Sequence, residues 1–343
     1  MVGAGPFLYG RRVSAPQSLD VVGIGNALVD VLSHQDDGFV EQLGVPKGGM
    51  TLIDEERAEQ IYALMGPAIE VSGGSAANTM VGVASFGGAA QYLSRVRDDQ
   101  LGAVFAHDLR ASGVGFDVPH AQHGPSTGCC FIVVTPDAER TMNTYLGASV
   151  HFGPDDVDEA VIAAAQVLYL EGYLFDTPEA QEAFRTAARH ANAHGTKVAV
   201  TLSDGFCVER HRGAFRALIE DHVDLVFANE AEITSLFEVD DFDAAAERLR
   251  HHGSVAALTR GAAGSGVVTE DDLIEVPAEP VAAVVDTTGA GDLYAAGFLH
   301  GFSTGRPLDV CGRLGSIAAA EVISHLGARP VTSLRDLAGD LLA

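Results

Sequence analysis

The sequence predicts an α/β fold, a doubly wound and mostly parallel sheet with helices on both faces, carrying a small β-sheet lid. Three observations lead there. Apolar β-branched runs alternate with longer amphipathic segments through most of the 343 residues, the pattern of a parallel sheet covered by helices. Two extended stretches break that rhythm, and open α/β folds bind ligands at the sheet edge such stretches would cover. Near the C-terminus a strand-like run passes through a Gly-rich turn into a helix, an arrangement suited to an anion.

Taken in order, Asp20 to Leu32 opens with a strand, and Val45 to Ile53, with Gly48 and Gly49, reads as a short extended piece. Thr127 to Val134, the turn Thr135-Pro136-Asp137-Ala138, and Glu139 to Leu146 read as a β-hairpin. Pro suits the first central turn position and Asp the second. Thr177 and Pro178 as N-cap and first helical residue, an Ala-rich body and Gly195 as stop delimit a helix leading into the strand Lys197 to Leu202. The unit repeats with Val223 to Ala228 as a strand, Asp241 to His252 as a helix and Val255 to Thr259 as a strand. The expected division is a large α/β unit, residues 15–35, 54–117 and 148–343, and a small β lid, residues 36–53 and 118–147. No internal repeat, low-complexity tract or linker marks a boundary between independent domains.

Composition narrows the function. The chain is 47% hydrophobic and 20% charged, a globular balance. Lys+Arg 21 against Asp+Glu 47 leaves a net charge of −26, which repels phosphate backbones and anionic lipid heads. Neither a nucleic-acid nor a membrane partner is expected. The longest nearly uninterrupted apolar run, Ala160 to Leu170, is far shorter than the ~20 residues needed to span a bilayer. The start, MVGAGPFLYGRR, has its basic pair after the apolar residues, the wrong order for a secretory signal, so a cytoplasmic location is expected. Cys129, Cys130, Cys207 and Cys311 include an adjacent pair and no CxxC spacing, and read as reduced, buried small hydrophobes. His190 and His194 lack the Glu of a HExxH site and read as a solvated helix face.

The segment from Val284 to Asp292, VVDTTGAGD, carries the most chemistry. A strand entering a Gly-rich turn and leaving as the helix Leu293 to Phe302 brings several N–H groups to the positive end of a helix dipole. Asp292, directly after the turn, would repel a bound phosphate but suits deprotonation of a hydroxyl that attacks one. A plain first-turn helix charge is the alternative. No GxxxxGK[ST] occurs, and Gly23-Ile24-Gly25-Asn26-Ala27-Leu28 has Leu where a dinucleotide fingerprint wants its third Gly.

Asp286-Thr287-Thr288-Gly289-Ala290-Gly291-Asp292, preceded far upstream by Ser72-Gly73-Gly74-Ser75-Ala76-Ala77-Asn78, resembles the paired signatures of the ribokinase-like (PfkB) carbohydrate kinases. Gly25 to Asp30, the NxxE element Asn229 to Glu232, and Thr259-Arg260-Gly261-Ala262-Ala263-Gly264 fall in register with them, so the resemblance spans roughly Asp20 to Ala328. It implies Asp292 as the catalytic base and the N–H groups of Gly289, Ala290 and Gly291 as an anion hole. It implies Asn229 and Glu232 for Mg²⁺, mostly through water, and Asp286 with Thr288 for a monovalent cation, K⁺. Thr259, Gly261 and Gly264 would line the ATP side, with Arg140 reaching the phosphates from the hairpin. Asn26, Asp30, Gly73, Gly74, Ser75 and Asn78 match the positions around the acceptor's hydroxyls.

The implied activity is transfer of the γ-phosphoryl group of ATP to a nucleoside or sugar. Ser75, where ribokinases usually carry Lys, and the Asn26 to Asp30 spacing resemble the adenosine kinase branch, so the 5′-hydroxyl of adenosine ranks first. Gly172-Tyr173-Leu174 keeps one of that branch's two aromatics, and Phe131 and Tyr145 on the hairpin are alternative aromatic faces or core. Another nucleoside ranks second and a free sugar such as ribose or fructose third, and a binding sensor that has lost the chemistry is the reading of another class. The expected assembly is a monomer or a homodimer.

Overall fold

The computed structural model describes residues 18–137, 139–250 and 253–342. The described strands are β1 (Leu19–Ile24), β2 (Leu28–His34), β3 (Met50–Leu52), β4 (Ile69–Gly73), β5 (Ala90–Leu93), β6 (Val114–Gly115) and β7 (Gly128–Val134). They continue with β8 (Arg140–Tyr145), β9 (Ala165–Glu171), β10 (Lys197–Thr201), β11 (Leu225–Asn229), β12 (Val255–Thr259), β13 (Ser265–Val268) and β14 (Leu273–Val276). A nine-stranded sheet runs in the order β14-β13-β12-β11-β10-β9-β1-β5-β6, parallel from β12 to β6 and antiparallel at β13 and β14.

Alternate residues of each central strand feed opposite layers, the period-two signature of a strand buried on both faces. Val21, Val167, Tyr169 and Ala199 pack with the helices Ser75–Ser85, Ala290–Ser303 and Leu308–Val322. Val22, Leu168, Leu170 and Val200 pack against Pro178–His194 and Gly205–His222 on the other side. The helix Pro178–His194 is bounded as expected, with Thr177 capping Ala180 N at 3.1 Å and Gly195 in the left-handed region at φ 78. Covering each large apolar side chain stabilises the fold by ~1.5–3 kcal/mol, which accounts for the two thick layers.

A second, five-stranded sheet has the order β3-β8-β7-β2-β4 and includes the expected hairpin as β7 and β8. It also takes in β2 and β4, which the division by sequence placed with the large unit. Only Gly25, Asn26 and Ala27 separate β1 from β2, so the chain leaves the large sheet and enters the five-stranded sheet within one turn. Within 36–53 the strand is limited to Met50–Leu52, and Asp36 caps the short helix Asp37–Leu43 ahead of it. The run before the Gly-rich turn is not a strand: Val284 and Val285 lie exposed outside the sheet, held by Val285 N to Ile323 O at 2.8 Å. Two prolines just upstream, Pro277 and Pro280, remove ladder donors there.

Cys129, Cys130, Cys207 and Cys311 are buried free thiols, and the adjacent pair faces opposite sides of β7. His190 and His194 both reach Glu159, at 3.4 and 2.9 Å. Among the described residues no helix is long and apolar enough to cross a membrane. The N-terminal segment read for a signal, Ala138 of the hairpin turn and the last residues of the helix expected to end at His252 lie outside the described residues.

Candidate active site

Asp292 is the third residue of the helix Ala290–Ser303, and the way that helix starts decides where its carboxyl points. Gly289 sits at φ 81, and a Cβ there would lie 2.8 Å from the backbone of Ala328. Only glycine satisfies both conditions. The turn brings the N–H groups of Gly289, Ala290 and Gly291 to the positive end of the helix, although Ala290 N–H also bonds back to Thr287 O at 3.2 Å.

Asp292 Oδ1 accepts from Ser75 Oγ at 2.6 Å, and Oδ2 accepts from Asn78 Nδ2 at 3.3 Å. The two signatures of the sequence therefore meet at this carboxylate. Loss of water around it pushes Asp292 up from 3.8 to about 6, against the pull of the two donors. Gly74, at φ 99, starts the helix that carries Ser75 and Asn78, and a Cβ on it would fall 2.4 Å from Asn26 O.

Asp30 lies on β2, and a Cβ on Gly73 would come within 2.5 Å of its carboxyl. Burial raises Asp30 to about 6, opposed by the charges of Arg329 and Arg140 and reinforced by Asp292. A base works only when deprotonated, so kcat/KM should fall on the acid side of about 6 and level off above pH 7. An initial-rate profile that stays flat from pH 5 to 8 would remove Asp292 from the proton-accepting role.

Asn26, expected at an acceptor hydroxyl, has both side-chain polar atoms engaged by protein. Its Nδ2 and backbone N–H donate to Glu171 Oε1 at 2.9 and 3.2 Å, and Oδ1 accepts from Ser149 Oγ at 3.0 Å. Glu171 Oε2 accepts from Ala76 N at 2.8 Å, so Glu171 ties the turn into the lid to the start of the helix Ser75–Ser85. Burial pushes this carboxyl up to about 7. Glu171 escaped the sequence reading because it ends an apolar strand and belongs to no motif. Asp108 and Arg329 escaped it too. Arg329 Nε reaches Asn78 Oδ1 at 3.2 Å and Nη1 reaches Asp108 Oδ2 at 3.1 Å.

On the nucleotide side, register places Asn229 of β11 beside Thr259 of β12, and Gly261 and Gly264 bound the turn that follows. Glu232 Oε2 accepts from Asn229 N at 3.0 Å and Oε1 from Asn229 Nδ2 at 2.6 Å, a capping box that leaves Glu232 nearly dry. Burial raises it to about 7. Among the described residues no group of three His, Cys, Asp or Glu could hold a metal ion. One carboxylate with an amide fits Mg²⁺ held through water and phosphates, not a protein cage.

The monovalent-cation expectation fits less well. Asp286 Oδ1 accepts from Thr288 N and Oγ1 at 2.9 and 2.6 Å, and Oδ2 accepts from Gly327 N at 3.1 Å and from Arg140 Nη1. Burial raises the Asp286 carboxyl, and these donors more than reverse it, leaving it below the ordinary value. With Arg140 in place, Asp286 carries four donors on two oxygens and a guanidinium counter-charge, so a K⁺ there would compete with Arg140 for this side chain. Arg140 of β8 thus pairs with the Gly-rich turn from the five-stranded sheet, both partners nearly buried.

Residues 65–334 match the pfkB family carbohydrate kinase. The chain is 51% identical to the adenosine kinase of Sinorhizobium meliloti, over 93% of this chain and 98% of that one, with a TM-score of 0.86. Adenosine kinase of Saccharomyces cerevisiae is 26% identical over 329 residues, 90% of this chain and 95% of the yeast protein. The 5-dehydro-2-deoxygluconokinase of Geobacillus thermodenitrificans is 27% identical over 265 residues, 74% of this chain and 78% of its own. A carboxylate behind a Gly-rich helix start, two signatures converging on it and a match across most of the chain agree: the protein belongs to the pfkB family of carbohydrate kinases and is an adenosine kinase-like phosphotransferase acting on an alcohol group.

Proposed function

We propose that the protein transfers the γ-phosphoryl group of ATP to the 5′-hydroxyl of a ribonucleoside, adenosine in first place. The acceptor oxygen attacks the γ-phosphorus, the new O–P bond forms as the bond to ADP breaks, and the hydroxyl proton passes to Asp292. N–H groups at Gly289 and Gly291 and the helix dipole would stabilise charge on the transferring oxygens. Mg²⁺ arriving with the nucleotide would neutralise phosphate charge, with Asn229 and Glu232 as the element to hold it. Arg140, released from Asp286, is a counter-charge within reach of the same turn.

The observation that carries the nucleoside reading is the surface around Asp30. Register sets Val71 and Cys130 on either side of Asp30, and Ile69 and Ile132 on either side of Leu32. Asp30 is thus flanked by apolar side chains on a sheet face that also carries Thr144 and Arg140 of β8, and Ile69 there remains 64% exposed. Tyr173 and Phe206, 36% and 74% exposed, follow the ends of β9 and β10. A free sugar has nothing to set against such surfaces, whereas a planar base does.

If Asp30 accepts from two vicinal ribose hydroxyls, removing one leaves part of a buried charged acceptor unpaired, at ~1–3 kcal/mol. The expected kcat/KM for 2′-deoxyadenosine is then at least ~10-fold below that for adenosine. Asp30→Ala should lose most of that discrimination. Steady-state kinetics on the two substrates decide it; equal kcat/KM in the wild-type enzyme would detach Asp30 from the ribose.

A further inference from the structure

Asn78 reaches Asp292 with an amide that has two nearly isosteric orientations, and only one of them presents a donor. Its orientation is held from the far side. Arg329 Nε, which can only donate, lies 3.2 Å from Asn78 Oδ1, leaving Nδ2 to face Asp292 Oδ2. Arg329 is itself pinned by Nη1 on Asp108 Oδ2, which also accepts from Ser72 N at 2.8 Å and Ser72 Oγ at 2.6 Å. Nη2 ends buried with no hydrogen-bond partner among the described residues, so Nε and Nη1 alone fix the guanidinium. Three remote segments meet here: Asp108 on the helix Gln100–Ala111, Asn78 on Ser75–Ser85, and Arg329 on the loop after Leu308–Val322.

We propose that Arg329, anchored on Asp108, is a positioning residue for the base: it locks the Asn78 amide so that Asp292 faces a donor in either protonation state. This rests on the assignment of Asp292 as the proton acceptor, not on which alcohol is phosphorylated. Without Arg329 the amide is free to turn its oxygen toward a protonated Asp292, which stabilises the acid form and weakens the base. Ser75 Oγ is the other donor to Asp292, and the charge of Asp292 in turn raises Asp30, Glu171, Tyr92, Tyr169 and Tyr173 around it, with Arg140 acting on Asp30 from the small sheet. Arg329 also lowers Asp30, so its removal should shift both carboxylates in the same direction.

The test compares wild type, Arg329→Met, Arg329→Lys, Asn78→Ala and the Arg329→Met/Asn78→Ala double variant with whichever acceptor the enzyme turns over best. Arg329→Met should lower kcat by ~10–10² and move the acid limb up by ~1 pH unit, with KM for ATP unchanged. Arg329→Lys keeps the charge but cannot span Asn78 and Asp108 together, so it should show the kcat loss with a smaller shift of the limb. Because Arg329 acts through Asn78, the double variant should lose little more than Asn78→Ala alone. Carbon-13 NMR of labelled aspartate reads the Asp292 titration without turnover, and Arg329→Met should raise its midpoint. An unmoved midpoint with an unchanged limb, or losses that add in full in the double variant, would overturn the proposal. If Asp292→Asn left turnover intact while Arg329→Met still moved the Asp292 midpoint, the base assignment would fail and the positional coupling would stand.

Discussion

Replacing Asp292 by Asn is expected to leave the fold and ligand binding in place and to lower kcat by ~10²–10⁴, the usual worth of a positioned general base. The substitution is nearly isosteric, and the helix start at Gly289 does not depend on the carboxyl. The Asn side chain can still accept from Ser75 through its oxygen, so the local geometry has a partner to retain. What it cannot do is take a proton. Placed directly behind an anion-binding turn, the charge of Asp292 opposes phosphate binding, so nucleotide affinity should hold or improve in the variant. Thermal unfolding, nucleotide titration and single-turnover rates separate these effects. A folded Asp292→Asn enzyme with near-normal kcat would make the residue structural.

Gly289→Ala should be the most damaging single methyl group in the site. At φ 81 an L side chain is strained by ~1–2 kcal/mol, and here the added carbon would also stand 2.8 Å from Ala328 Cα and O. The helix start cannot relax without shifting the N–H groups on either side of it. Displacing one such donor costs ~10²–10³ in kcat in acyl-transfer sites, and a loss of that order is expected, together with a lowered Tm. Gly291→Ala is the control, since nothing lies within 4 Å of a Cβ there. It should leave stability close to wild type, and a Gly291→Ala protein destabilised as much as Gly289→Ala would show that the turn, not the clash, is the sensitive feature.

Much of this was legible from the residues because the informative ones are forced by backbone geometry or sit in short, spaced motifs. Thr177, Pro178 and Gly195 announced a helix that forms between them, and Pro136 and Asp137 announced the hairpin turn. The meeting of Ser75, Asn78 and Asp292 followed from two signatures that only make chemical sense together. Sheet membership was harder, since a strand's sequence reports how many of its faces are buried and not which strand it pairs with. The alternation in β2, buried at Val29, Val31 and Ser33 and half-buried at Leu28, Asp30 and Leu32, was present but reads the same in either sheet. Val284 and Val285 misled in the opposite sense, being apolar and β-branched yet exposed. Glu171, Asp108 and Arg329 had no local signal at all. Each is an isolated charged residue whose value depends on partners 36 to 251 positions away.

The central claim, ATP-dependent phosphorylation of a nucleoside at its 5′-hydroxyl, is tested most directly by measuring ADP release and identifying the product across one acceptor panel. That panel holds adenosine, other ribonucleosides, 2′-deoxyadenosine, ribose, fructose and 5-dehydro-2-deoxygluconate. The expected result is the highest kcat/KM with adenosine, AMP as the phosphorylated product, and poor turnover of free sugars, because a sugar alone forgoes the contacts of the apolar lid face and loses kcat as well as affinity. Faster phosphorylation of ribose, fructose or the sugar acid than of adenosine would contradict the nucleoside assignment, and ADP release with none of them would contradict the kinase itself.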